Sequence, residues 1–357
     1  LFDLYEYLTP KGFYLKSVPS HPSAKIGGCI AYNAHGQNHE RDGCFCDHLL
    51  EMELFHPQHG SMTLNSKKNQ DVYELTVNGF GLTGIILSAK MKVYPLSSNS
   101  VSVTRITFNT IQESYQLFMK HRGQYDFYRS WLELNYISYE KQVGFLEMAK
   151  IKDNNSFHKE KIKYEYNPNL HKKFPINVFG TPLMRIICRL YYLVKARNHH
   201  QEMSLFQFIH PSANKMYYFS MFGRQGLIEH QILIPHNHVV SYIDDFVKLL
   251  CSHKPIISLC HSKLFGKDAK GMSFSGHGYC LAVQVPHDPK HLLFLERIDQ
   301  LDIKYDCKSN IVKDSRVSKD TIQKQYGECL ELFIKKLLHF DPDRKFSNRI
   351  SEEIYGI

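Results

Sequence analysis

Between residues 227 and 301 the apolar pattern changes period in a set order, and that order narrows the fold more than any other feature of the chain. Residues 227–235, 256–265 and 278–286 alternate apolar and polar as strands do, whereas 237–251 and 289–301 repeat as helices do. Strand, helix, strand, strand, helix, with a further strand near Asn310, predicts an antiparallel sheet with helices on one face. Alternation also assigns the faces. Tyr279, Leu281, Val283 and Val285 share one side of their strand, and Cys280, Ala282 and Gln284 the other. Lys263 shares a side with Ile257, Leu259 and His261, and Gln231 lies opposite Ile232 and Ile234. Each strand thus pairs an apolar face, suited to packing under helices, with a face carrying polar groups that meets either water or a ligand.

The first part of the chain reads differently. Residues 1–8 resemble a helix end stopped by Pro10 and Gly12, 49–55 and 61–64 are strands around a turn at 56–60, and 83–94 is β-rich. Short strands broken by glycine turns predict an α+β nucleotide-binding segment rather than a parallel Rossmann sheet. A second region begins near Pro95, with a strand over 101–108 and a helix over 110–121 capped by Asn109. Residues 138–200 are polar, rich in Lys and Asn in part, and are expected to hold mobile loops. A last helix is predicted over 321–337. The expected division is 1–95, 96–335 and 336–357.

Composition excludes several classes. With 357 residues, 43% hydrophobic and 22% charged, the chain suits two ordinary soluble domains. It has no run of about 18 apolar residues, as a membrane-spanning helix requires. It opens Leu1-Phe2-Asp3-Leu4 with neither Met nor a basic leader, so a truncated or processed start is expected. Nine cysteines without a CxxC pair read as reduced thiols and a cytoplasmic setting. Cys44, Cys46 and His48 lack a partner cluster, so no metal is expected. The net charge of +9 fits a solvated surface or attraction to an anionic substrate or membrane surface. The basic residues form no stripe interleaved with aromatics, which weighs against nucleic acid.

The chemistry sits in the stretch Gly27-Gly28-Cys29-Ile30-Ala31-Tyr32-Asn33-Ala34-His35-Gly36-Gln37-Asn38-His39. Adjacent glycines let backbone approach a ligand, and unpaired N–H groups in such a turn hold a pyrophosphate or ring oxygens. Two glycines alone would equally make a hairpin. A second block follows, however, at Thr76-Val77-Asn78-Gly79-Phe80-Gly81-Leu82-Thr83-Gly84-Ile85-Ile86. Together the blocks resemble the FAD-binding domain of the vanillyl-alcohol-oxidase/p-cresol-methylhydroxylase (PCMH-type) superfamily, where GGxIAxxxHGxNH precedes GxGLTGII. The likeness continues through Gln207-Phe208-Ile209-His210-Pro211, residues 229–235, Lys263-Leu264-Phe265-Gly266, Tyr279-Cys280, Lys313-Asp314-Ser315-Arg316 and Asp341-Pro342 with Phe346. These recur in the same order in the branch that oxidises sugars carried on polyprenyl phosphate.

The resemblance implies the later part of a PCMH-type FAD-binding domain, a substrate or cap domain whose antiparallel sheet is covered by helices, and a C-terminal segment returning to the FAD domain. The phosphate-cradling loop would precede residue 1, as a missing N-terminal segment, which leaves covalent and dissociable FAD both open. A truncated, non-catalytic fragment unable to hold FAD alone is the alternative. Around the cofactor the resemblance places Ser20, Lys25, Ile26, Gly27, Gly28, Tyr32, Asn33, Ala34 and His35, then Gly79, Gly84, Ile85, Ile86 and Asn310. In the substrate pocket it places Cys280, Gln231, Trp131 and His210. The implied reaction oxidises a secondary hydroxyl by hydride transfer to flavin N5 while a base removes the proton. Lys313 is the candidate base, with Lys263 as the second cation that lowers its pKa; a charged Lys313 would instead stabilise the reduced flavin. The plainer readings are a surface lysine at 313, a buried small hydrophobe at 280 and a core residue at 131. A short-chain dehydrogenase partner would reduce the ketone, giving epimerisation in cell-wall polysaccharide biosynthesis. An aldonolactone or alditol oxidase is the related alternative. Gly278 and Asn310 depart from the branch, which has asparagine and tyrosine there, and so alter the pocket.

Overall fold

The computed structural model describes residues 1–153, 157, 164, 174–197, 199–215, 217–268, 270–314, 316–352 and 356. The alternating stretches form its largest element. Its strands are β6 (Ser100–Phe108), β7 (Phe127–Leu132), β8 (Gly144–Ile151), β9 (His199–Ser204), β10 (Leu227–Pro235), β11 (Leu259–Lys267), β12 (Gly276–Pro286) and β13 (Lys308–Ser309). They lie in the order β13-β10-β12-β11-β7-β8-β6-β9, every pair antiparallel.

Helices α5 (Ile111–His121), α9 (Val239–His253) and α10 (Pro289–Lys304) cover one face. Val239, Tyr242, Ile243, Phe246, Val247 and Leu250 recur at helical spacing along α9. They pack with Phe294, Leu295 and Ile298 of α10 against Ile232, Ile234, Tyr279, Leu281, Val283 and Val285. Each such side chain contributes about 1.5–3 kcal/mol on burial. The start of α10 is fixed locally, since Asp288 accepts from the His291 N–H and Pro289 needs no partner at the first position.

Helix α6 (Leu183–Lys195) and the short α7 (Leu205–Ile209) and α8 (Tyr217–Ser220) belong to the stretch between β8 and β10. The N-terminal region holds α1 (Phe2–Leu8), α2 (Ile26–Ala31), α3 (His39–Asp42) and α4 (Gln70–Thr76). It also holds a three-stranded antiparallel sheet of β2 (Leu49–His56), β3 (Gly60–Leu64) and β4 (Ile85–Met91), ordered β3-β2-β4. Two-residue strands β1 (Phe13–Tyr14) and β5 (Tyr94–Pro95) pair beside it. The chain closes with α11 (Lys319–Phe340), whose Ile322, Tyr326, Leu330 and Leu337 pack on Leu75, Phe80 and Leu82 of the N-terminal region. The α+β architecture expected from the pattern is present.

Two expectations need correction, the cap of α5 and the unbroken last helix, and two others meet further structure. The cap of α5 is Thr110, whose hydroxyl accepts from the Glu113 N–H, not Asn109. Residues 138–200 contain β8 and α6; the expected mobile loops there fall mostly outside the described residues. The last helix is broken at Gly327, where φ is +45° and ψ −123°. It also runs through residue 335, where a division was expected.

Candidate active site

The face of the sheet turned away from α9 and α10 gathers the polar groups. Register sets Gln231 opposite Ala282 and His261 opposite the same residue, Leu233 and Lys263 on either side of Cys280, and Glu229 and Leu259 on either side of Gln284. Gln231 donates from Nε2 to Cys280 Sγ at 3.5 Å and accepts at Oε1 from Asn310 Nδ2 at 2.7 Å. The Asn310 N–H also bonds the Gln231 carbonyl at 2.8 Å. Asn310 opens the turn that carries Lys313, whose N–H bonds the Asn310 carbonyl at 2.9 Å.

Lys313 ends 3.2 Å from Glu229 Oε1 and is half exposed. Gln284 donates to the other Glu229 oxygen at 2.5 Å, and the Tyr218 hydroxyl donates to Gln284 at 2.9 Å. Burial would raise the Glu229 carboxyl, but Lys313 and the Gln284 bond outweigh it and hold it at about 2. Lys263 is buried, and among the described residues no carboxylate lies within ion-pair reach of its ammonium. Burial, helped by the Lys313 charge, holds it below the ordinary lysine range. Burial likewise pushes the Cys280 thiol up to about 12, so it lines the site as a neutral group. The sequence reading had Lys263 act on Lys313; here the depressed lysine is Lys263, and the carboxylate on Lys313 is Glu229, which that reading passed over. Alternation had put Glu229 on the same side as Gln231, two residues along, which was the available signal.

The first glycine block meets this face. Asn33, at φ +44°, donates to Ser273 Oγ at 2.6 Å and accepts from the Cys46 N–H. His39 stacks on Phe265 of β11 at 3.8 Å and lies 3.0 Å from Ser275 Oγ. His35 contacts Phe265 and Phe274 edge-on or tilted. Burial first, then Lys263 and His39, keeps its imidazole neutral. Its Nδ1 is buried without a partner, as is His261 Nδ1 on the sheet.

Gly27 and Gly28 do not form the turn that was expected. They are the second and third residues of α2, after Lys25 at its cap and Ile26 at its first position, and no side chain caps the helix. The first intrahelical bond of α2 goes to the Cys29 N–H, so the N–H groups before it are free to meet a ligand. A Cβ at Gly28 would meet nothing within 4 Å, and one at Gly27 only Ile86 at 4.0 Å. The protein itself therefore leaves this surface open. Gly79 and Gly84 differ, since a Cβ there would strike the carbonyls of Leu75 and Phe55 at 2.3 and 2.4 Å. Their role is close packing. The second block instead docks on the end of α2 through Asn78 N–H to Ile30 and Phe80 N–H to Ala31. Beside α2, Tyr32 and Ile85 are exposed, and Ala34 is fixed by backbone bonds to Cys29 and Phe45.

Three expected residues lie elsewhere. His210 is buried against Phe206, and its neighbourhood includes Ser20, His21 and the chain's amino group rather than Lys263. Ser20 joins it there, accepting from Ser212 Oγ at 3.1 Å. Trp131 is on the strand next to His261 and Lys263 but is stacked with Phe145 and Tyr192 and meets Tyr191 edge-on, beneath α6. A further titratable cluster on the opposite face brings His230, Asp299 and Asp302 within 4.8 Å. Both His230 nitrogens already face carboxylates, Asp302 and Asp314 at 2.8 Å each, and Arg316 lies on Asp299 and Asp314. These atoms are engaged in an ion-pair network.

The residues present fit FAD: an uncapped helix start with open space over its glycines, a neutral histidine with an unpartnered nitrogen, and an unpaired buried lysine. The open start suits phosphate or ring oxygens, and the orphaned polar atoms suit a heteroaromatic ring. Residues 1–63 match the FAD binding domain family. Decaprenylphosphoryl-beta-D-ribose oxidase of Mycolicibacterium smegmatis is 23% identical over 99% of this chain and 78% of its own length. D-arabinono-1,4-lactone oxidase of Eremothecium gossypii is 22% identical over 37% of this chain and 24% of its own. The mitochondrial cytochrome-type D-lactate dehydrogenase 1 of Saccharomyces cerevisiae is 26% identical over 31% and 20%. With the glycine blocks, the sheet and these likenesses in agreement, the chain is a FAD-dependent oxidoreductase similar to the PCMH-type flavoproteins.

Proposed function

We propose that the chain oxidises a secondary CH–OH group of a sugar carried on a polyprenyl phosphate. The observation that carries this reading is the polar sheet face, where unpaired Lys263, the Lys313–Glu229 pair and neutral His35 converge. Bound FAD supplies the hydride acceptor at N5. Gly27 and Gly28 hold it through the start of α2, with His35 and Asn33 beside it. Lys263, depressed and without a carboxylate among the described residues, takes the hydroxyl proton; Lys313, held by Glu229, stabilises negative charge that develops at the site. The pairing of Lys313 with Glu229 favours Lys263 over Lys313, the candidate from the sequence, as the base in this reading. Gln231, Cys280 and Asn310 shape the pocket around the sugar. Residues 1–95 act as the FAD part and the large sheet as the substrate part, with the C-terminal stretch returning: Asn348 bonds the Phe80 carbonyl and His59 lies 2.8 Å from that of Phe340.

Likeness to the ribose oxidase along the whole chain favours a lipid-linked pentose, with a short-chain dehydrogenase reducing the ketone to complete an epimerisation in cell-wall polysaccharide biosynthesis. The second reading, a soluble aldonolactone or alditol, draws on the shorter likeness to the lactone oxidase. Anaerobic bleaching of the flavin band separates them. Bleaching by a polyprenyl-phosphate pentose and not by free lactone supports the first; the reverse pattern overturns it. A full chain that takes up no FAD overturns both.

A further inference from the structure

Helix α6 shows an arrangement opposite to an ordinary surface helix. Its inward residues are Met184 and Cys188, the latter bonding the Ile257 and Ser258 carbonyls. Its outward residues are also apolar: Leu183, Ile186, Leu190, Leu193 and Val194 are 47–70% exposed. They recur at steps of three and four and so form one stripe along the helix. A stripe of this kind on a helix face that no described residue covers marks an interaction surface. No acidic residue occurs from 166 to 201, whereas Lys172, Lys173, Arg185, Arg189, Lys195 and Arg197 all fall there. Among the described ones, Lys195 and Arg197 are exposed at the end of the helix. No described helix is long and apolar enough to cross a membrane. An apolar stripe bordered by cations, on a helix too short to span, is the pattern of a segment lying in the plane of an anionic bilayer surface.

We propose that α6 docks this protein on an anionic lipid bilayer, its leucine stripe in the acyl boundary and its cations at the headgroups. The helix sits over Trp131, on the strand next to Lys263, so docking would bring the candidate site to the membrane surface. This extends the reading of a lipid-linked substrate and rests on it only for its purpose, because docking needs no substrate.

The test is sedimentation of the full, FAD-loaded chain with substrate-free vesicles of phosphatidylcholine alone or mixed with phosphatidylglycerol. The chain should pellet with the mixed vesicles, and Leu190→Asp with Leu193→Asp should lower the partition at least about tenfold. Both positions are exposed, so folding should persist, as an unchanged flavin spectrum would show. Lys195→Glu with Arg197→Glu should weaken binding to the mixed vesicles alone. Failure of the parent chain to pellet with mixed vesicles overturns the proposal, as does equal pelleting of the aspartate variant. A parent dimer in gel filtration that the aspartate pair converts to monomer also overturns it, making the stripe a contact between copies. Vesicle binding without turnover of a lipid-linked sugar would sink the substrate reading and leave the docking intact.

Discussion

Strand β10 passes between two buried clusters of charged groups, and they are built on opposite rules. On the helix side His230 is saturated: Asp302 and Asp314 take its two nitrogens, Tyr242 donates to Asp302 at 2.8 Å, and Arg316 closes the network. On the other side, next to Glu229 and Gln231, Lys263 has no carboxylate partner among the described residues, and His261 and His35 each keep an unpartnered buried nitrogen. A buried polar group left unpaired is costly and is retained where something outside the chain completes it. One cluster is therefore complete within the fold and the other is left for a ligand in the proposed function, though a single residue step along the strand separates them.

The contrast can be broken by substitution. The largest effect is expected in catalysis. Lys263→Met should lower the rate of substrate-driven flavin bleaching by about 10²–10⁴, measured in stopped flow, while unfolding stability holds or rises by on the order of 1 kcal/mol. Equal loss of stability and rate would place Lys263 with the structural cluster. His230→Ala should do the reverse in kind, costing about 3–5 kcal/mol in denaturant unfolding because two buried carboxylates, Asp302 and Asp314, lose their shared cation. Little change there would end the claim that this network holds the fold.

A pH series sharpens the same point. Burial would lower the His230 imidazole, but Asp302 and Asp314 raise it to about 10, above its ordinary value near 6.5. Its stabilisation is thus complete below about pH 6.5 and is lost as pH rises through about 10. The stability gap between the parent and His230→Gln should shrink steadily across that window; a gap that widens would refute the assignment. The smallest effect is expected under the helices, where the Tyr279 hydroxyl donates to Ser262 Oγ at 2.7 Å and to Ser114 Oγ at 3.2 Å. Tyr279→Phe should cost about 1 kcal/mol and leave flavin reduction unchanged.

What the sequence made legible followed from period and from motif. The alternation of residues 227–235 and 278–286 assigned both faces of β10 and β12 correctly, because one side must lie under α9 and α10. The glycine blocks led to the FAD part. What escaped were features that need a second strand to be seen. Glu229 gains its role from Lys313, 84 positions away, and His230 from Asp302 and Asp314. β8 has all but its last two residues buried, Glu147 among them, so no polar alternation marked it. α6 escaped because its outward face is apolar, contrary to the rule by which amphipathic helices are recognised.

The turn bearing Lys313 is tethered to adjacent residues of one strand, Asn310 to Gln231 and Asp314 to His230. The lysine is therefore registered to β10 from both ends of its own turn, like a bridge pinned at two piers. A change at position 310 would remove one tether, while the Asp314 tether would keep the lysine in place. Pocket chemistry and the location of charge are thereby separable: a substitution at 310 can reshape the polar face without moving the Lys313 charge.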